Sequence, residues 1–165
     1  MKRLQYLSRH RMRGAVAVEL ALLLIPLLVL VFGVAEFGRA LYQYNALTKS
    51  VRTAVRHLSQ VSPGDADNPQ DVAKYNQAKE EARCLAVYGK LACSGEKLAP
   101  ELNLDMVEFN DSPIVVTTSE GTTITLVEVR IERYPFKFFL DPRTFLGGGV
   151  PSISFGVIRA SMRQS

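Results

Sequence analysis

The sequence predicts an α+β protein with a long N-terminal transmembrane/amphipathic helix, a second helix and a small antiparallel sheet. Three observations predict it. No residue between Glu19 and Glu36 carries a charge, and most are Leu, Val, Ile, Ala or Phe. Apolar residues then recur at helical spacing as far as Leu58. In the last third the period falls to two: Val127, Val129 and Ile131 alternate with Glu128, Arg130 and Glu132. The 165 residues have room for about one ordinary domain. The chain beyond the first helix suffices for one small core and is short for a typical α/β enzyme.

Residues 1–14 are a basic leader carrying Lys2, Arg3, Arg9, Arg11 and Arg13 and no acid. Residues 15–37, Ala15 to Phe37, form the transmembrane helix. As a helix they span about 34 Å, against a hydrocarbon core of about 30 Å. Pro26 removes a backbone donor and clashes with the preceding turn, which predicts a kink or local unwinding there. Residues 38–60 continue the helix in amphipathic form. Leu41, Tyr44, Leu47, Val51, Val55 and Leu58 make the apolar stripe, with Gln43, Asn45, Lys49, Arg52, Arg56 and Gln60 on the polar faces. One helix therefore runs from about Ala15 to about Gln60, roughly 70 Å long.

Residues 61–70 form a linker, because Ser62 to Pro69 is a run of turn formers. Residues 71–165 form the distal α+β domain. Its helix runs from Asp71, as N-cap, to Tyr88, with Val72, Tyr75, Ala78, Ala82 and Leu85 as its stripe and Gly89 as its stop. Residues 90–103 read as a loop. Val107 and Phe109 mark a short strand. The segments 114–119 and 122–134 flank the turn signal Glu120-Gly121. Ile124 and Leu126 are out of phase with Val127, so a bulge or face switch is expected near 126–127. Asp141-Pro142-Arg143 and Gly147-Gly148-Gly149 bracket a loop. A last strand runs from Ile153 to about Met162.

The net charge of +4 hides an uneven distribution. The excess of base lies in the leader and at Arg39, Lys49, Arg52 and Arg56, whereas residues 61–165 hold 11 bases and 14 acids. A nucleic-acid partner requires a basic stripe on a folded domain, and this distal domain is mildly acidic. Basic residues before an apolar helix place the N-terminus in the cytoplasm and the distal domain outside it. The four bases after the span make either a solvated helix face or a subunit contact. Glu36 and Arg39, three residues apart, are placed to pair at the outer interface.

Cys84 and Cys93 form one bridge if the distal domain lies in an oxidising compartment; otherwise they are two buried thiols. His10 and His57 are isolated, with no neighbours for a metal site or a catalytic triad. No nucleophile–base set is visible, so the expectation is no enzyme and no cofactor. Tyr134, Phe136, Phe138 and Phe139 are read as sheet core, with a contact surface as the alternative.

The informative segment is Arg11 to Leu22. A basic stretch ends at Gly14, an apolar helix comes next, and a lone glutamate, Glu19, lies five residues after the glycine. A carboxylate in lipid costs about 2.5–3.5 kcal/mol, so Glu19 requires a partner. A cut after Gly14 supplies one: Ala15 then carries an α-ammonium group that pairs with Glu19 in the same chain or a neighbour's. Such pairing sets the axial register between packed helices, because misregister leaves a buried charge unpaired. Gly14 suits a cut, since it lacks a Cβ and weakens the helix.

These features resemble the class III signal of prepilins and pseudopilins. The segments 13–19, 34–42, 45–48 and 54–56, with weaker echoes at 86–89, 134–136 and 160–163, resemble the TadE-like family, minor pseudopilins of the tight-adherence (Tad/Flp) pilus system. The resemblance covers the first 60 residues well and the remainder loosely. Leu20 departs from the pattern, since related pilins usually carry an aromatic after the glutamate.

The resemblance implies a pilin-like fold and cleavage after Gly14 by an aspartyl prepilin peptidase. Its implied partners are that peptidase, other pilin-like subunits, Tad inner-membrane assembly proteins and the membrane, with no nucleic acid. It also implies a single-pass bacterial inner-membrane protein with a periplasmic domain, possible entry into the pilus, and a role in assembling adhesive pili. The competing reading is an anchored or secreted extracytoplasmic binding module with no pilus role. In it, Gly33-Val34-Ala35 is a signal-peptide cleavage site before Glu36.

Overall fold

The computed structural model describes the backbone of residues 2–110, 114–117, 119, 121–139 and 152–164, and the side chains from Gly14 onward within those ranges. The element order is α1 (Lys2–Ser59), α2 (Pro69–Tyr88), a 3₁₀ turn (Leu104–Met106), β1 (Val107–Phe109), β2 (Ile114–Thr117), β3 (Thr123–Ile131), β4 (Pro135–Lys137), β5 (Ser152–Ser154) and β6 (Ile158–Arg163). The mixed α+β class is as the sequence predicts. The 58 residues of α1 measure about 87 Å. The helix begins well before Ala15, because Gly14 costs a helix only about 1 kcal/mol and both its neighbouring segments favour helix. The backbone also stays helical through Pro26, without the local unwinding expected there. The loop signals at 141–143 and 147–149 lie outside the described residues.

The chain divides into two compact units, Met1–Arg39 with Phe138–Val150, and Ala40–Lys137 with Pro151–Ser165. In the first, every residue from Gly14 to Ala35 is exposed. The apolar side chains of this stretch cover no protein core.

In the second, α1 buries Leu47, Val51, Ala54, Val55 and Leu58. The stripe differs from the expected one at its start. Leu41 and Tyr44 are each 46% exposed, and Gln43 is buried in their place. Gln43 lies one helical turn before Leu47, and its Oε1 accepts a hydrogen bond from the buried Tyr134 hydroxyl at 3.0 Å. A buried amide is tolerated when so partnered.

The second helix starts two residues before Asp71. Asn68 is its N-cap, with Oδ1 accepting from the Gln70 amide at 3.1 Å, and Pro69 occupies the first turn. Proline there loses no helical hydrogen bond and presets φ, which makes Asn68-Pro69 the stronger start. Asp71 instead accepts from the Asn68 side chain at 3.1 Å. The expected stripe is also displaced: Val72 is exposed, and burial begins at Ala78 and continues through Ala82, Cys84, Ala86 and Val87. Gly89 ends the helix at φ +69°, donating to the Leu85 carbonyl. Cys84 and Cys93 are joined as a disulfide, with Cα atoms 4.8 Å apart, tying the following loop to α2.

β3 is the centre of the main sheet. Leu126 pairs with both Ile114 of β2 and Arg163 of β6, and Val129 pairs with both Phe109 of β1 and Ala160 of β6. A strand residue has only two lateral neighbours. β1 and β2 therefore lie end to end along one edge of β3, and β6 lies along the other. All these pairings are antiparallel; β6 keeps one-to-one register with β3 from Leu126 to Ile131, whereas on the other edge the four residues 110–113 separate β1 from β2 opposite Val127 and Glu128. What changes there is the neighbour, from β2 to β1. Val127, Val129 and Ile131 face the core as their alternation predicts. On the other face Arg130 bonds Glu108 at 2.9 Å and Glu132 at 3.1 Å.

The expected last strand is two. β5 pairs with β4, and β6 pairs with β3, with Phe155, Gly156 and Val157 between them. The break lets the Phe155 ring pack against Tyr134, Phe136 and Tyr44, with centroids 5.5, 5.7 and 5.8 Å away. Of the four aromatics read as core, Tyr134 and Phe136 are buried, Phe138 is intermediate and Phe139 is 84% exposed.

Candidate functional site

The segment that sets this protein apart is the first half of α1. From Leu20 to Ala35 it carries no charged residue, and every one of these residues is exposed. A soluble core helix of that composition is covered by other elements, whereas this one presents Leu, Val, Ile and Phe on every side. Water would oppose such exposure at about 25 cal/mol per Å² of apolar surface. A lipid environment removes the penalty.

Gly14 and Ala15 lie at the start of this segment, inside the helix and exposed. A Cβ added at Gly14 meets nothing within 4 Å, so the glycine answers no packing need within the described residues. Glu19 is exposed among apolar neighbours. Among the described residues it makes no hydrogen bond or ion pair. The expected partner, a new α-ammonium at Ala15, requires a cut chain.

The far end carries the other carboxylate. Glu36 is only 8% exposed. Its Oε2 accepts from Arg39 Nη2 at 2.6 Å and from Nε at 3.2 Å. Its Oε1 accepts from the backbone N–H of Phe139 at 3.1 Å. The Glu36–Arg39 pair is visible in their spacing, but the bond to Phe139 has no sequence signal. Together these contacts turn a carboxylate beside an apolar segment into a satisfied group that also fixes a distant backbone.

Cys84, Cys93 and His57 belong to the second unit. His57 is not isolated: its Nε2 lies 2.9 Å from Glu81 Oε2, joining α1 to α2. The Glu81 carboxyl is held below its usual range, chiefly by the Gln77 side-chain amide and then by His57. Among the described residues no cluster of His, Cys, Asp or Glu has the makings of a metal site.

Residues 14–56 match the family model of TadE-like proteins. The matched segment starts at Gly14 and takes in Glu19, the exposed apolar stretch, the Glu36–Arg39 pair and most of the buried stripe of α1. The match and the exposed apolar helix together fit a Tad pilus-associated protein and suggest membrane anchoring through α1. No curated protein and no solved structure matches the chain.

Proposed function

We propose that this chain is a minor pseudopilin of a Tad/Flp-type system, cut after Gly14 by a prepilin peptidase, anchored by residues 15–37 and supporting assembly of adhesive pili. It is an assembly protein, and the chemistry done on it belongs to the peptidase. The observation that carries this reading is Glu19, a carboxylate without a partner among the described residues, on an uncovered apolar helix five residues after a glycine that packing there does not require. The TadE-like match beginning at that glycine supports it.

In this reading the leader is cytoplasmic, the distal domain is periplasmic, and the apolar half of α1 packs against other pilin-like helices. Within that packing the Ala15 ammonium and Glu19 set the register. The partners are the peptidase, those subunits and the inner-membrane assembly proteins.

The N-terminal sequence of the protein purified from its native membrane tests the proposal. An N-terminus at Ala15 supports it. Glu36 at the N-terminus indicates a secreted module, and Met1 a plain signal anchor; either result overturns it.

A further inference from the structure

We propose that Phe139 is a second membrane contact, its ring seated at the boundary between headgroups and acyl chains at the outer end of α1's apolar segment. The inference rests on reading residues 15–37 as the span.

Glu36 and Phe37 close the charge-free run of α1. The run from Ala15 to Phe37 measures about 34 Å, slightly more than a hydrocarbon core of about 30 Å. Glu36 therefore sits where acyl chains give way to headgroups. The Phe139 backbone N–H lies 3.1 Å from Glu36 Oε1, which puts Phe139 at that same depth. Its ring is 84% exposed, and Phe37 on the adjoining helix turn is 66% exposed. Both rings thus lie at one level of a helix whose whole preceding face is apolar and uncovered.

Non-helical backbone is normally excluded from this depth because its polar groups lack partners. Here the Phe139 N–H has one, and Arg39 holds the Glu36 carboxylate in place. Lipid is the occupant argued here because the patch continues the surface of the span itself. A neighbouring protein helix is the other outcome.

The chain contains no tryptophan, so Phe139→Trp creates a single tryptophan, excited at the red edge apart from the six tyrosines, at a position that is 84% exposed. The full chain is reconstituted into phosphatidylcholine/phosphatidylglycerol vesicles with bromines on either shallow or deep acyl carbons. Leu28→Trp, in the middle of the apolar run, is the reference.

The expected result for Phe139→Trp is blue-shifted emission, strong loss of intensity with shallow bromines, and a smaller loss with deep ones. Adding Glu36→Ala releases the backbone and is expected to weaken the shallow quenching. Hydrated emission that aqueous iodide quenches and bromolipids do not, alongside normal deep quenching of Leu28→Trp, overturns the inference and leaves the span intact. That result would point to a protein helix as the occupant. Failure of bromolipids to quench Leu28→Trp overturns the span reading, and the inference with it.

Discussion

Replacing Gly14 by Ala separates the chemistry of processing from the stability of the helix. The new methyl meets nothing within 4 Å, so it introduces no clash. Gly14 lies inside α1, and alanine in a helix interior is favoured over glycine by about 1 kcal/mol. The uncleaved chain should therefore be as well folded as the wild type, with a slightly firmer helix across residues 11–17. If the peptidase must unwind that stretch, the extra 1 kcal/mol alone slows cleavage by about fivefold. If it also needs the missing Cβ for close approach, cleavage is nearly abolished.

The two contributions separate in Gly14→Ala/Ala17→Gly, which restores the local helix weakness but keeps the methyl. The assay is the intact mass of membrane-purified protein over a time course with the peptidase co-expressed, reading loss of residues 1–14. We expect accumulation of the uncut chain in both variants. Cleavage of Gly14→Ala at the wild-type rate would refute the assignment of Gly14 as the cut site. Cleavage of the double variant at the wild-type rate would reduce the glycine's role to helix weakening.

Other consequences are open to measurement. Glu19→Val removes the carboxylate whose placement in lipid costs about 2.5–3.5 kcal/mol, so membrane insertion and cleavage should persist while assembly fails; normal piliation beside normal cleavage would sink the register argument. The Glu81 carboxyl is depressed below its ordinary 4.5 in the folded chain, first by Gln77 and then by His57. Its stabilising contribution is therefore present above that ordinary value and lost as pH falls through the lower folded one. Thermal unfolding of the full chain in detergent should show Glu81→Gln less stable at neutral pH and equal to wild type in acid; parallel curves at all pH values would contradict this. The Cys84–Cys93 bridge closes a loop with a separation of nine residues, for which chain entropy gives about 2.6 kcal/mol. Alkylation with and without prior reduction should reveal two thiols only after reduction, and Cys84→Ser/Cys93→Ser should lower the unfolding midpoint in denaturant.

Several features were legible because they depend on short-range pattern. The apolar run gave the exposed half of α1, and a left-handed glycine gave the end of α2 at Gly89. The alternation of Val127, Val129 and Ile131 gave the buried face of β3. The spacing of Glu36 and Arg39 gave their ion pair. Boundaries were less legible. The turn formers up to Pro69 read as linker and Asp71 as the cap, whereas α2 starts at Pro69, where the Asn68 side chain caps the helix and the ring presets φ.

Sequence by itself determined which segment cannot be covered by this small protein and which single carboxylate, Glu19, stands inside it. Those are properties of composition and of a period of 3.6, and they hold whatever the rest of the chain does. Only the tertiary structure decided which distant groups meet. His57 finds Glu81 24 residues away, Gln43 finds Tyr134 91 residues away, and Glu36 finds the Phe139 backbone 103 residues away. The course of β3, with β1 and β2 sharing one edge and β6 the other, brings the terminal strands together. No local pattern encodes such meetings, because each requires two separate segments to be positioned first. Buried or partly buried polar groups then take whichever partner the packing offers, since leaving them unpaired costs more than the bond itself contributes.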